Sequence, residues 1–229
     1  PKGVLEFPKK SVIVRDDTQM PLEVLGTDYS ILQNSRLAEI AMEVAGSRNL
    51  KVTKGGCMSD GRLVFLQLDF KKNVKIGTDS VGRFITLINS HDGSSSFKIG
   101  FGNQVASCLN QFHYFAANSN MNFRHSTGLH ESVEKVIEKV TGVDISLSDE
   151  VKAEKYSTRK LNTVDEIVTC VRNEMSTKGE TLWGAFNGVT YYANHVQCAK
   201  NMDRNDYSLR FGTGYDMNRA AYRYANSLV

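Results

Sequence analysis

The run Arg62-Leu63-Val64-Phe65-Leu66-Gln67-Leu68-Asp69-Phe70 decides the fold. Its side chains alternate with a period of two. Val64, Leu66, Leu68 and Phe70 share one face of a strand, and Leu63, Phe65, Gln67 and Asp69 share the other. Just before it, Asp60-Gly61 is a hairpin-type turn that makes residues 50–56 the antiparallel partner. Downstream, residues 83–89 lead through His91-Asp92-Gly93-Ser94 into residues 95–102, which predicts a second hairpin. There Phe97, Ile99 and Phe101 share one face and Lys98 takes the opposite one. Val105, Cys108, Leu109, Phe112 and Ala116 follow at helical spacing and predict a helix packed on that sheet. Ahead of the sheet, Asn34 or Ser35 caps a predicted helix carrying Leu37, Ile40, Ala41 and Val44 on one face, with Gly46 placed to stop it.

The fold class that results is α+β: an antiparallel β-sheet of two hairpins with helices packed on one face, followed by a mainly helical C-terminal half. Helices are predicted over 131–140, 161–175, 182–199 and 216–228, while 146–159 is charged and weakly apolar and gives no pattern. The expected organisation is an N-terminal arm (1–21) with a short strand at Ser11-Val12-Ile13-Val14, an α+β core (22–128), and a helical region (129–229) packed on that core.

A length of 229 residues with 41% hydrophobic and 23% charged residues suits a folded protein with a sizeable core. No apolar run approaches the roughly 18–20 residues that a membrane-spanning helix needs, and Pro1-Lys2-Gly3-Val4-Leu5-Glu6-Phe7 is not a secretory leader. No membrane partner is expected, and the expected location is the cytoplasm. The four cysteines, Cys57, Cys108, Cys170 and Cys198, stand far apart without a C-x-x-C pair, as free thiols of a reducing compartment would.

The net charge of +3 is unremarkable, but its distribution is informative. Between residues 50 and 124 nine basic residues face four acidic ones, and the rest of the chain is slightly acidic. The basic set is Lys51, Lys54, Arg62, Lys71, Lys72, Lys75, Arg83, Lys98 and Arg124. Cations gathered on a sheet attract a phosphate backbone through counterion release. They equally suit a solvated sheet whose lysines discourage edge pairing. Gly100-Phe101-Gly102-Asn103-Gln104 reads as a strand-to-helix loop where Asn103 and Gln104 offer polar contacts and Phe101 or Tyr114 a stacking surface. Arg124 and His125, ahead of a helix, form a second line of phosphate contacts.

Catalytic patterns are sparse. There is no P-loop, no H-E-x-x-H and no G-x-S-x-G, so no resident metal or cofactor is expected. Asp69 and Asp92 are the only carboxylates in the sheet region that suggest two-metal chemistry, and they carry the alternative of a metal-dependent nuclease or nucleotidyl transferase.

Several strings together resemble the phage/plasmid-like family called domain of unknown function 932. They are Leu25-Gly26-Thr27-Asp28-Tyr29 through Gln33-Asn34, Thr86-Leu87-Ile88-Asn89-Ser90-His91-Asp92-Gly93-Ser94-Ser95, Cys108-Leu109-Asn110 and Arg124-His125-Ser126. Leu182-Trp183-Gly184-Ala185-Phe186-Asn187 and Phe211-Gly212-Thr213-Gly214 belong with them. The resemblance implies a phage, plasmid or host setting. In topology the order of helix, hairpins and helix is similar to the core of phage single-strand annealing proteins of the Redβ, RecT and Sak type. That likeness implies a non-enzymatic protein that binds single-stranded DNA, forms a homo-oligomeric ring or filament, and anneals strands without ATP. A non-catalytic module that binds a protein partner through the helical half is the third expectation.

Overall fold

The computed structural model describes residues 8–105, 111–114, 121–142, 181–196 and 213–228. Strand β4 (Leu63–Asp69) lies inside a seven-stranded antiparallel sheet. Its neighbours are β3 (Lys51–Met58) on one side and β6 (Asp79–Ser90) on the other. Beyond β6 come β7 (Phe97–Val105) and β8 (Gln111–Tyr114), while β5 (Val74–Ile76) pairs with β6 and β9 (Asn122–Phe123) with β7. A separate two-stranded arm is made of β1 (Lys10–Val14) and β2 (Pro21–Gly26).

The alternation in β4 is realised on both faces. Leu68 joins the main core, with Val64, Leu66 and Phe70 packed against it. Leu63 and Phe65 join Met58 and Ile88 in a second cluster. The main core is closed by α1 (Asn34–Arg48) and α2 (Leu129–Gly142), which lay Leu37, Ile40, Val44, Leu129, Val133 and Val140 over Ile85, Leu87, Phe97 and Ile99. Each fully buried side chain of this kind contributes roughly 1.5–3 kcal/mol. At the far end of the β5–β6 hairpin, Ile76 and Val81 meet Leu182, Trp183, Phe186 and Ala225 from α3 (Leu182–Tyr191) and α4 (Thr213–Ser227). The indole Nε1 of Trp183 donates to Asp79 Oδ2 at 2.9 Å and pins that helical pair to the sheet. Trp183 is therefore an internal anchor.

Four local expectations are corrected. Residues 100–104 are not a strand-to-helix loop: they are ladder positions of β7, with Gly100 opposite Thr86 and Gly102 opposite Phe84. The helix expected at 105–116 is overturned, because 111–114 form strand β8, with Phe112 opposite Asn103. Residues 106–110 and 115–120 lie outside the described residues, as do the expected helix at 161–175 and the stretch 146–159. The aromatic Gln111-Phe112-His113-Tyr114 segment suits a strand, and pairing with β7 outweighs the helical spacing of its apolar residues. Helix α1 is not stopped at Gly46. It ends at Asn49, whose left-handed φ of 54° turns its N–H onto Ala45 and Gly46 carbonyls. Its N-cap is Gln33, since the side chain of Asn34 is engaged elsewhere.

Candidate nucleic-acid interface

Antiparallel pairing sends the ends of several strands to one corner of the sheet. Lys51 opens β3 directly opposite Asp69, which closes β4. Phe70, Lys71 and Lys72 follow at once, and the Phe70 N–H donates to the Arg83 carbonyl at 2.9 Å. Lys75 stands in β5 opposite Ser80. Lys51, Lys71, Lys72 and Lys75 are all exposed, and the Lys71 ammonium donates to Asn49 Oδ1. The Arg83 guanidinium lies over the Phe70 ring, 5.0 Å from its centroid. Asn103 and Gln104 are opposite Arg83 and Gly82 on β7. Between these groups is a recess of about 180 Å³ lined by Asp69, Phe70, Asn73, Gly82, Arg83, Phe84 and Gln104. One oxygen of Asp69 accepts from Gln67 Nε2 at 2.8 Å, and Asn73 Nδ2 donates to Ser80 Oγ at 3.0 Å.

A polar knot occupies the opposite end of the sheet. Tyr29 Oη donates to the Ser90 carbonyl at 2.8 Å, and its ring stacks on His125 with centroids 4.7 Å apart. His125 Nδ1 lies 2.9 Å from the Ser30 carbonyl, so it donates, and the Ser30 N–H returns a bond to the His125 carbonyl at 3.2 Å. His125 Nε2 is buried without a hydrogen-bond partner among the described residues. His91 Nε2 lies 2.9 Å from Asn34 Oδ1, and Asn89 Nδ2 donates to the Leu32 carbonyl at 2.9 Å. Ser90 Oγ exchanges bonds with Ser95 across the turn, and Asp92 Oδ1 accepts from the Ser94 N–H. Burial lowers the pKa of both imidazoles; for His91 the charge of His125 adds to this and Asp92 opposes it. The knot thus holds two neutral histidines at neutral pH and ties the β2–α1 linker, the β6–β7 turn and the approach to α2 together. His91 and Asn34 also border a cleft of about 530 Å³ beneath the β1–β2 arm, beside Arg15, Asp17 and Cys57.

A family model described as Domain of unknown function (DUF932) matches residues 21–168, more than half of the chain. The chain belongs to the DUF932 family. No curated protein and no solved structure matches it. The DUF932 match spans the whole described sheet, α1 and α2, and so covers both the basic corner and the knot.

The residues expected to touch nucleic acid divide between those two places. Lys51, Lys71, Lys72, Lys75, Arg83, Asn103 and Gln104 come together at the corner. Lys54 is exposed three residues along the edge strand β3. Arg62, Arg124 and His125 are at the other end of β4, roughly 20 Å away at about 3.3 Å per residue. Arg62 is committed to the Leu22 carbonyl through Nε at 2.9 Å. Lys98 shares the far end, opposite Ile88 and beside Asn122, where burial and then Arg219 lower the pKa of its ammonium. Phe101 is corrected outright: it is buried in the main core and offers no stacking face. The side chain of Tyr114 lies outside the described residues. Asp69 and Asp92 are also separated, since Asp69 pairs with Phe84 and Asp92 stands eight residues further along, roughly 26 Å away. That span is incompatible with a shared pair of metal ions about 4 Å apart. Among the described residues no group of three or more His, Cys, Asp and Glu side chains converges on one point, and no helix is long and apolar enough to cross a membrane.

Sequence reading assigned Phe70 to the core face alone and missed Asn73 and Gly82 as neighbours of the lysines. The string Phe70-Lys71-Lys72-Asn73 was the available signal: an aromatic, two cations and an amide immediately after a strand.

Proposed function

We propose that this DUF932 chain binds single-stranded DNA through the basic corner and anneals complementary strands without ATP, as a homo-oligomeric ring or filament in the cytoplasm of a bacterial host. The observation that carries the proposal is the convergence of Lys51, Lys71, Lys72, Lys75 and Arg83 on one corner, from three separate stretches of chain. Five cations outnumber the two carboxylates nearest them in the strand ladders, Asp69 and Asp79, and form a site where a flexible phosphate backbone releases counterions. Helices α1 and α2 close the same face of the antiparallel sheet, which keeps an outline likeness to single-strand annealing proteins even though strand β8 stands where that likeness placed a helix. Annealing needs many copies side by side, so that bases on a strand held by its phosphates remain open to a second strand.

The decisive test is fluorescence-anisotropy binding of a labelled single-stranded oligonucleotide across a salt series. Light scattering and a strand-annealing assay without nucleotide run on the same samples. Salt-steep binding with large assemblies and accelerated annealing is the expected result. Absence of binding at low salt overturns the proposal and directs the search to protein partners.

A further inference from the structure

We propose that the recess beside the lysines receives a single unstacked nucleobase, so that the corner distinguishes unpaired strands from duplex. The inference rests on the nucleic-acid reading above and assigns the chemical group bound at that site. A phosphate alone is poorly matched to a hollow containing Phe84, the Phe70 ring and the Asp69 carboxylate. A base matches it, because a base has apolar π faces and a polar edge. The Arg83 guanidinium, backed by the Phe70 ring beneath it, supplies the flat cationic plane on which an unstacked base rests. Asn73, Gln104 and Asp69 supply the amide and carboxylate groups that meet a base edge. In duplex that edge is paired and the base is stacked, and extrusion costs energy that a single strand does not spend.

The placement of Gly82 points the same way. Glycine weakens a strand interior, and it is normally kept where the backbone turns left-handed or another group approaches closely. Neither condition holds at Gly82. Its φ is not left-handed, and an added Cβ would stand 3.5 Å from Asn73 Oδ1 and 3.7 Å from the Gln104 carbonyl, in ordinary contact. A side chain there would project toward Asn73 and Gln104, two residues that line the recess, so glycine keeps the recess wider than any other residue would. Lys71 and Lys72 follow Phe70 directly and Lys75 stands two residues beyond Asn73, so phosphates on either side of the inserted base meet cations.

The test compares a labelled mixed-sequence single strand with an otherwise identical strand carrying abasic sugars, using the full chain. Wild type is expected to bind the base-bearing strand roughly tenfold more tightly. Gly82→Leu, which fills the recess, is expected to erase that preference while leaving the salt slope unchanged, because no lysine is altered. If a thermal melt shows Gly82→Leu unfolded, Asn73→Ala combined with Gln104→Ala carries the same expectation. Equal wild-type affinity for both strands, or a preference surviving in the folded variant, overturns the base pocket while leaving phosphate binding intact. Failure of wild type to bind either strand at low salt removes the nucleic-acid reading, and the pocket with it.

Discussion

Replacing Lys71, Lys72 and Lys75 together by glutamine tests the corner quantitatively. All three are exposed, and the hydrogen bond lost at Lys71 is a surface contact to Asn49, so stability should hardly change. For single strands the slope of log K against log salt is about −0.7 per phosphate neutralised. The five cations of the corner therefore set a limiting slope of about −3.5, and the two that remain in the variant set about −1.4. Between roughly 50 and 200 mM salt, wild-type affinity should fall about 100-fold and that of the variant only about sevenfold. Asp69, opposite Lys51, makes these upper limits. Anisotropy titrations at four or five salt concentrations measure both slopes, with a thermal melt of each protein as the control for folding. Equal slopes for the two proteins would refute the corner as the phosphate contact. Loss of binding on replacing Arg124 and His125 instead would place that contact at the other end of the sheet.

Other outcomes follow from the fold. Because His91 and His125 titrate below their ordinary value when folded, the unfolded chain binds protons first, near pH 6.5. Stability should be complete above that pH, fall as the pH drops below it, and stop falling once the folded histidines are themselves protonated. Urea unfolding at pH 7.5 and pH 5.5 measures this, and no difference would count against a neutral knot. Trp183→Phe removes the hydrogen bond to Asp79 and should cost about 1.5–3 kcal/mol in denaturant unfolding, whereas Asp79→Asn, which keeps an acceptor, should cost less. Ile85→Ala, beneath α1 and fully buried, should cost about 2–5 kcal/mol, while Val12→Ala on the exposed arm should stay within about 0.5 kcal/mol. Comparable losses at the two sites would mean that the arm is packed against something in solution.

The α+β class, the antiparallel hairpins and the faces of α1 and α2 were legible because each is a local periodicity. Val64, Leu66 and Leu68 repeat by two and Leu37, Ile40, Ala41 and Val44 by three and four, whatever lies nearby. Asp60-Gly61 was legible for a related reason, since left-handed backbone at Asp60 and Gly61 makes the turn. The string Asn89-Ser90-His91-Asp92-Gly93-Ser94-Ser95 was legible as a turn, yet its partners were not. Tyr29 lies 61 residues from Ser90, and Asn34 lies 57 from His91.

By itself, then, the sequence determined which segments extend, which coil and where the chain reverses, because those choices depend on neighbours a few residues apart. Only the tertiary structure decided that 111–114 would pair with β7 instead of continuing a helix, because a strand edge in need of hydrogen bonds outweighs a weak local spacing. It alone buried Phe101, split the basic residues between two ends of the sheet, and brought Lys51, Lys71, Lys72, Lys75 and Arg83 to the same end. Charge composition counts cations, but strand register places them, and register is fixed by pairing between residues far apart in the chain.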